Sequence, residues 1–188
     1  MSPPVLRGVV LAGGRSRRMG RDKAALTYRG RTLLDHAVDM LSPFCSDIRV
    51  AIAPDQRSDT LRHRHPVVVD PVSDGGPMAG LLAAFALDPA AAWWALAVDL
   101  PFLKPETLGR LAAARGTKPA CAVTHDGRPE PLCAIYEPGA AKPLGDWFDQ
   151  GNRSLRGWLE AVDAPLVPAE SGELRNLNTP ELEKFLQE

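Results

Sequence analysis

Apolar runs alternate along this chain with stretches whose apolar positions recur at helical spacing. Val9-Val10-Leu11 is uninterrupted, as in a strand buried on both faces. Over 32–41, Leu33, Leu34, Ala37, Val38 and Leu41 share one helical face, and Pro43 ends that helix. A second strand is expected over 48–53, then a short polar helix around 57–64. A third strand at 67–69 stops at Asp70. The pattern next predicts a helix over 78–87 and a fourth strand over 93–98 that stops at Asp99. A helix over 106–115 follows, with Pro105 in its first turn and Gly116 beyond its end.

Beyond 116 the organisation changes. Strands over 120–124 and 132–136 flank Asp126-Gly127, a hairpin turn signal, so antiparallel pairing enters here. Helices over 142–149 and 155–161 and a strand-like 165–167 follow. Thr179-Pro180-Glu181 supplies an N-cap, a proline and an acid in the order that starts a closing helix. The pattern therefore predicts an α/β fold with a mostly parallel central sheet and an antiparallel element in its C-terminal half. Without a Gly/Ser linker or repeat, 1–188 is expected to be a single domain whose second half decorates an α/β core.

Composition narrows the function. With 45% hydrophobic and 24% charged residues the 188-residue chain has globular values, and its net charge of −1 argues against wholesale binding to nucleic acid or an anionic membrane. Against that neutral background, seven of the 22 lysines and arginines fall within 15–31, which points to a small anionic ligand. Cys45, Cys121 and Cys133 have no C-x-x-C spacing, and 1–4 carries no apolar leader, so a reduced cytoplasmic protein is expected. No apolar run approaches the roughly 20 residues of a membrane span. His63 and His65, two apart, are expected on the surface rather than as metal ligands.

The candidate chemistry concentrates in 11–23, which reads L-A-G-G-R-S-R-R-M-G-R-D-K. Directly after a strand, Gly13, Gly14 and Gly20 allow a ligand close to the backbone, and Arg15, Arg17, Arg18, Arg21 and Lys23 suit a polyanion. A solvated basic loop would carry similar charges; the strand and double glycine before them favour phosphate. The spacing excludes a P-loop, since no Gly-Lys pair occurs, and it lacks the G-x-G-x-x-G of dinucleotide folds. In open α/β sheets ligands bind outside the carboxyl ends of strands, where this loop, Asp70 and Asp99 all fall. Taken singly, either aspartate would sooner be read as capping a helix or turn; it is their convergence with the loop that points to a site.

Together these residues resemble the nucleotidyltransferases, and within them the molybdenum cofactor guanylyltransferases. The likeness rests on Leu11-Ala12-Gly13-Gly14, Arg18-Met19-Gly20, Asp22-Lys23, Asp70, Gly75-Gly76-Pro77-Met78-Ala79-Gly80 and Val98-Asp99-Leu100-Pro101. Pro131-Leu132 and Asn176-Leu177-Asn178-Thr179-Pro180-Glu181 complete it, in order along nearly the whole chain. The resemblance implies a three-layer Rossmann-like nucleotidyltransferase fold, with about 1–116 binding nucleotide and about 117–188 the acceptor. It implies transfer of GMP from GTP to the phosphate of molybdopterin, with Mg²⁺ as cofactor. It also leaves room for transient contact with cofactor-delivering or molybdoenzyme-maturation proteins.

By the same resemblance, Leu11, Ala12 and Gly13 follow base and ribose by backbone contact, and Gly14 and Gly80 belong to the nucleotide site. Lys23 grips the phosphates, Asp99 holds the metal, and Asp70 holds the nucleoside side. Arg15, Arg18 and Gly20 serve the triphosphate or loop closure, and Asn176 and Asn178 lie on the acceptor side. Arg153 and Arg156 suit either the acceptor's phosphate or a solvated helix face, whereas Trp93, Trp94 and Trp158 are expected in the core. Two features bear on the base. Ala51 stands where some members carry Asn; cytidylyl relatives tend to L-A-A-G and D-Q-P, against Gly13 and Leu100 here.

Overall fold

The computed structural model describes residues 3–12, 22–72 and 75–175. Gly13, Gly14, Arg15, Arg18, Gly20, Asn176, Asn178 and the closing helix expected after Thr179 lie outside the described residues. Strand β1 (Leu6–Leu11) is central, running parallel to β4 (Ile48–Ile52) on one side and to β6 (Ala92–Ala97) on the other. Two short strands, β2 (Thr27–Tyr28) and β3 (Arg31–Thr32), form a separate antiparallel pair before helix α1 (Leu33–Leu41). The edge strand β5 (Val67–Val69) lies parallel to β4.

Beyond β6 the sheet continues through β8 (Arg128–Tyr136) and β7 (Ala120–His125), both pairings antiparallel, and ends in β9 (Leu166–Pro168), parallel to β7. Its seven strands run in the order β5-β4-β1-β6-β8-β7-β9. The second half of the chain thus contributes three strands to the same sheet rather than decorating a finished core. Asp126 and Gly127 join β7 to β8 with φ of 53° and 74°, the left-handed pair that a two-residue hairpin turn requires.

Side chains alternate across the central strands and divide the core in two. Val10, Trp94 and Leu96 face α1 and α3 (Pro105–Ala113), while Val9, Leu11 and Trp93 face α2 (Gly76–Leu87), α4 (Ala141–Asp149) and α5 (Leu155–Ala161). This alternation sends the adjacent Trp93 and Trp94 into opposite layers, both fully buried, and Trp158 is buried beside Tyr136. The result is a three-layer α/β/α fold with a mostly parallel sheet. Among the described residues no helix is long and apolar enough to cross a membrane.

The polar helix expected over 57–64 is instead two single 3₁₀ turns, Pro54–Gln56 and Arg62–Arg64. That segment is not uniformly exposed either: Arg62 is buried and His65 is half-buried against Asp35, 2.8 Å from its carboxylate. Only His63 meets the expectation of a surface position.

Candidate active site

Strand order reverses between β1 and β6: the chain moves from β1 outward through β4 and β5, then returns to the far side of β1. Such a switch point opens a crevice at the carboxyl ends of the two strands. Leu11 is paired with Ala97, so Ala12 and Val98 leave the sheet side by side and Asp99 follows one residue on. Lys23 enters the same place from the turn Lys23–Ala25, which Asp22 caps by accepting a hydrogen bond from the Ala24 N–H. Lys23 Nζ lies 2.9 Å from Asp99 Oδ2, with both side chains about 20% exposed. At that burial the pair is screened less than a surface ion pair.

Asp70 leaves β5 with its backbone N–H donated to Ile52. Its Oδ1 is buried and has no hydrogen-bond partner, and burial pushes the carboxyl up to about 6. Gly80 of α2 lies over it: a Cβ there would meet Leu11 Cδ2 at 2.9 Å, Ala51 Cβ at 3.0 Å and Asp70 Oδ1 at 3.2 Å. The missing side chain lets α2 close onto β1 and β4, and it gathers Leu11, Ala51, Asp70 and Gly80 into one corner. Ala51, fully buried, brings no polar atom to that corner. An unsatisfied buried carboxylate oxygen costs free energy, which a ligand's donor would recover.

Arg62, which periodicity placed in a solvated helix, lies 1% exposed beneath Ala12 and Asp22. Nε and Nη2 donate to the Ala12 carbonyl at 3.1 and 2.8 Å. Nη1 and Nη2 donate to the two Asp22 carboxylate oxygens at 2.8 and 2.9 Å, and Nη1 donates also to Asp59. All five guanidinium N–H groups thus have an acceptor, in the planar fork that only arginine offers. Hydrogen bonding to Arg62 holds the Asp22 carboxyl below its ordinary range.

Three further residues escaped the sequence reading. A register shift between Ala122 and Val123 makes Pro131-Leu132 part of a bulge in β8, beside the end of β6. Glu130 is carried with it; burial raises its carboxyl above the usual range, and the nearby Asp99 charge adds to the rise. His36 reaches from α1 with Nε2 3.1 Å from the Pro101 carbonyl, and Tyr28 packs edge-on against both His36 and Phe102. These contacts brace the turn that follows Asp99. Glu173, 2% exposed, accepts from the backbone N–H of Lys104 and the Thr107 hydroxyl, capping α3 while tying down 170–175. No periodic signal marks such anchors, because each acts through a polar group whose partners are remote in sequence or off the apolar faces.

Other assignments place less clearly. Arg156 donates to the Pro129 carbonyl and lies 3.8 Å from Glu130, while Arg153 donates to the Phe148 and Asn152 carbonyls and stacks on the Phe148 ring. Among the described residues no group of three or more His, Cys, Asp or Glu is placed to hold a metal. Asp99 with Glu130 nearby instead offers hard carboxylate oxygen, which fits a Mg²⁺ that takes one or two protein carboxylates and completes its shell with phosphate and water.

The model of the MobA-like NTP transferase domain matches residues 8–170. A probable molybdenum cofactor guanylyltransferase of Mycobacterium avium is 38% identical over 181 residues, covering 93% of this chain and 91% of that protein. The crystal structure of molybdopterin-guanine dinucleotide biosynthesis protein A from Archaeoglobus fulgidus superposes with a TM-score of 0.76 at 28% identity, covering 96% of each chain. A nucleotidyl transferase from Methanothermobacter thermautotrophicus shares the fold, with a TM-score of 0.77 at 19% identity over 97% of this chain and 96% of that one. With the family model matching most of its length and a relative 38% identical over 93% of it, the chain belongs to the MobA-like NTP transferase family.

Proposed function

We propose that this chain transfers GMP from GTP to the phosphate of molybdopterin, releasing pyrophosphate and forming the guanine dinucleotide cofactor. The observation that carries the reading is the Lys23–Asp99 pair at the β1/β6 switch point, with the unpartnered Asp70 oxygen two strands away. A cation and a carboxylate at one strand end suit a triphosphate and its metal; a buried acceptor at another suits a nucleoside donor group.

An oxygen of the acceptor phosphate attacks the α-phosphorus of GTP, and the bond to the bridging oxygen on the β side breaks. Pyrophosphate carries the electron pair away. Lys23 leaves Asp99 for the phosphates and offsets the charge that grows on the leaving group. Asp99 would hold Mg²⁺, which when bound would supply Lewis-acid neutralisation of the phosphate oxygens. Leu11, Ala12 and Gly13 follow base and ribose along the backbone, while Gly80 leaves room beside Asp70. Gly14, Arg15, Arg18 and Gly20 serve the triphosphate. Asn176 and Asn178 belong to the acceptor side. Three free cysteines fit a reducing cytoplasm.

Ala51 withholds a polar contact from the nucleoside corner, so base choice is the part to test first. Incubation with each of the four NTPs, Mg²⁺ and molybdopterin is expected to give pyrophosphate and dinucleotide with GTP. Turnover with CTP but not GTP overturns the guanine assignment, and turnover with none overturns the reading.

A further inference from the structure

We infer that Arg62 is a positioning residue for nucleotide transfer: by holding the Ala12 carbonyl and the Asp22 carboxylate on one guanidinium, it sets the register between the end of β1 and Lys23. The inference rests on the nucleotidyltransferase reading above. Ala12 and Asp22 are ten positions apart in sequence, yet both are bonded to the same side chain, which arrives from a third segment between β4 and β5. Lys23 follows Asp22 directly and faces Asp99, which lies just beyond the end of β6. The chain of contacts therefore runs from Ala12 through Arg62 and Asp22 to Lys23 and Asp99, and it crosses the crevice where phosphates would lie.

A purely structural role explains this arrangement poorly. Taking a guanidinium out of water is costly, and a packed apolar side chain of similar volume would fill the space without that cost. What the fork adds is direction. Four of its five bonds go to the two residues that flank the phosphate segment, and only one goes to Asp59, which also accepts the Arg62 backbone N–H. Asp59 thus holds Arg62 within its own turn, whereas Asp22 ties it to the turn that carries Lys23. Lysine retains the charge but has three donors on a single atom and no planar fork, so it cannot reproduce the five bonds or fix the two partners at a set spacing.

The test compares Arg62→Lys, Asp22→Asn and Asp59→Asn with the wild-type chain, using the nucleotide that the wild type turns over, Mg²⁺ and molybdopterin. Asp22→Asn still caps the turn at Lys23 but gives up one charged oxygen to Arg62, at a side chain 41% exposed, so it keeps the inference testable if Arg62→Lys does not fold. Expected are a rise of tenfold or more in KM for the nucleotide in Arg62→Lys and of about fivefold in Asp22→Asn. KM for molybdopterin is expected to stay within twofold in both. Asp59→Asn lowers the melting temperature but leaves nucleotide KM within twofold.

Equal behaviour of Asp22→Asn and Asp59→Asn, with loss of stability and no change in nucleotide KM, overturns the inference, as does an Arg62→Lys chain with wild-type constants. A wild-type chain that turns over none of the nucleotides overturns the underlying reading and this inference with it. An active wild type with unaffected variants overturns the inference alone.

Discussion

Two of the parallel strands, β5 and β6, deliver an aspartate to the same edge of the sheet, and the two carboxylates meet opposite surroundings. Asp99 faces Lys23 at 2.9 Å, so its charge is balanced before any ligand arrives. Asp70 sits under α2 with one oxygen unpartnered, and burial alone lifts its carboxyl to about 6. The same residue type at the same kind of position is a paired site in one case and an unsatisfied acceptor in the other. On the proposed function, this balanced pair is what opens to receive phosphate and metal. The orphan gains a partner only when a donor comes in.

The largest break in this comparison comes from its balanced side. On the proposed function Lys23→Ala removes the cation assigned to offset charge on departing pyrophosphate, and kcat is expected to fall on the order of 10²- to 10³-fold. Melting temperature should move by only a few degrees, since Asp99 still reaches solvent. Steady-state pyrophosphate release and a thermal melt on the same sample check both, and an unchanged kcat removes Lys23 from the chemistry.

Asp70→Asn probes the other side and moves two quantities in opposite directions. Nucleotide KM is expected to rise about tenfold, because a charged acceptor becomes a neutral amide. Stability of the free chain should increase at neutral pH. The sign follows from linkage: a carboxyl near 6 when folded and near 4 when unfolded binds more protons in the folded state across that window. Wild-type stability from this group is therefore present below about pH 4 and lost as pH rises through about 6. With solvent screening allowed for, Asn recovers about 1–2 kcal/mol at pH 7.5 and almost none at pH 4. Denaturant melts of both chains at the two pH values decide; a gain equal at both pH values breaks the account.

Much of this architecture was legible in the chain. Val9-Val10-Leu11 and the strand around Trp93-Trp94 lie at the sheet centre because uninterrupted apolar runs bury both faces. Asp126-Gly127 marked its hairpin because few residues tolerate two left-handed positions. Asp70 and Asp99 were found as strand ends, but their opposite surroundings were not, since these depend on what α2 and the Lys23 turn bring from elsewhere. Arg62 was missed for a related reason. Its neighbours are polar and its spacing is that of a surface, while its partners lie 40 and 50 positions earlier. Hydrophobic patterning reports burial through apolar area and is silent on a polar group buried by satisfying every donor.

The smallest effect expected sharpens why Asp70 is isolated. Gly80→Ala and Gly109→Ala both place a methyl group in a helix, where alanine is favoured over glycine by up to about 1 kcal/mol. Gly109 on α3 has nothing within 4 Å of the new carbon, so the propensity gain should appear nearly whole as a higher melting temperature. At Gly80 the carbon falls 2.9 Å from Leu11 Cδ2 and 3.0 Å from the Ala51 Cβ. Leu11 can rotate its side-chain end, but Ala51 has no side chain to move, so β4 or α2 must shift. Overpacking of this kind costs about 1–3 kcal/mol, enough to reverse the sign. The new methyl also lies 3.2 Å from the orphan oxygen and takes space a donor would use, so nucleotide KM should rise a fewfold in Gly80→Ala alone. A Gly80→Ala chain that matches Gly109→Ala in stability and wild type in KM would show that α2 has slack above Asp70. Its isolation would then come from distance to any donor rather than from the tightness of that corner.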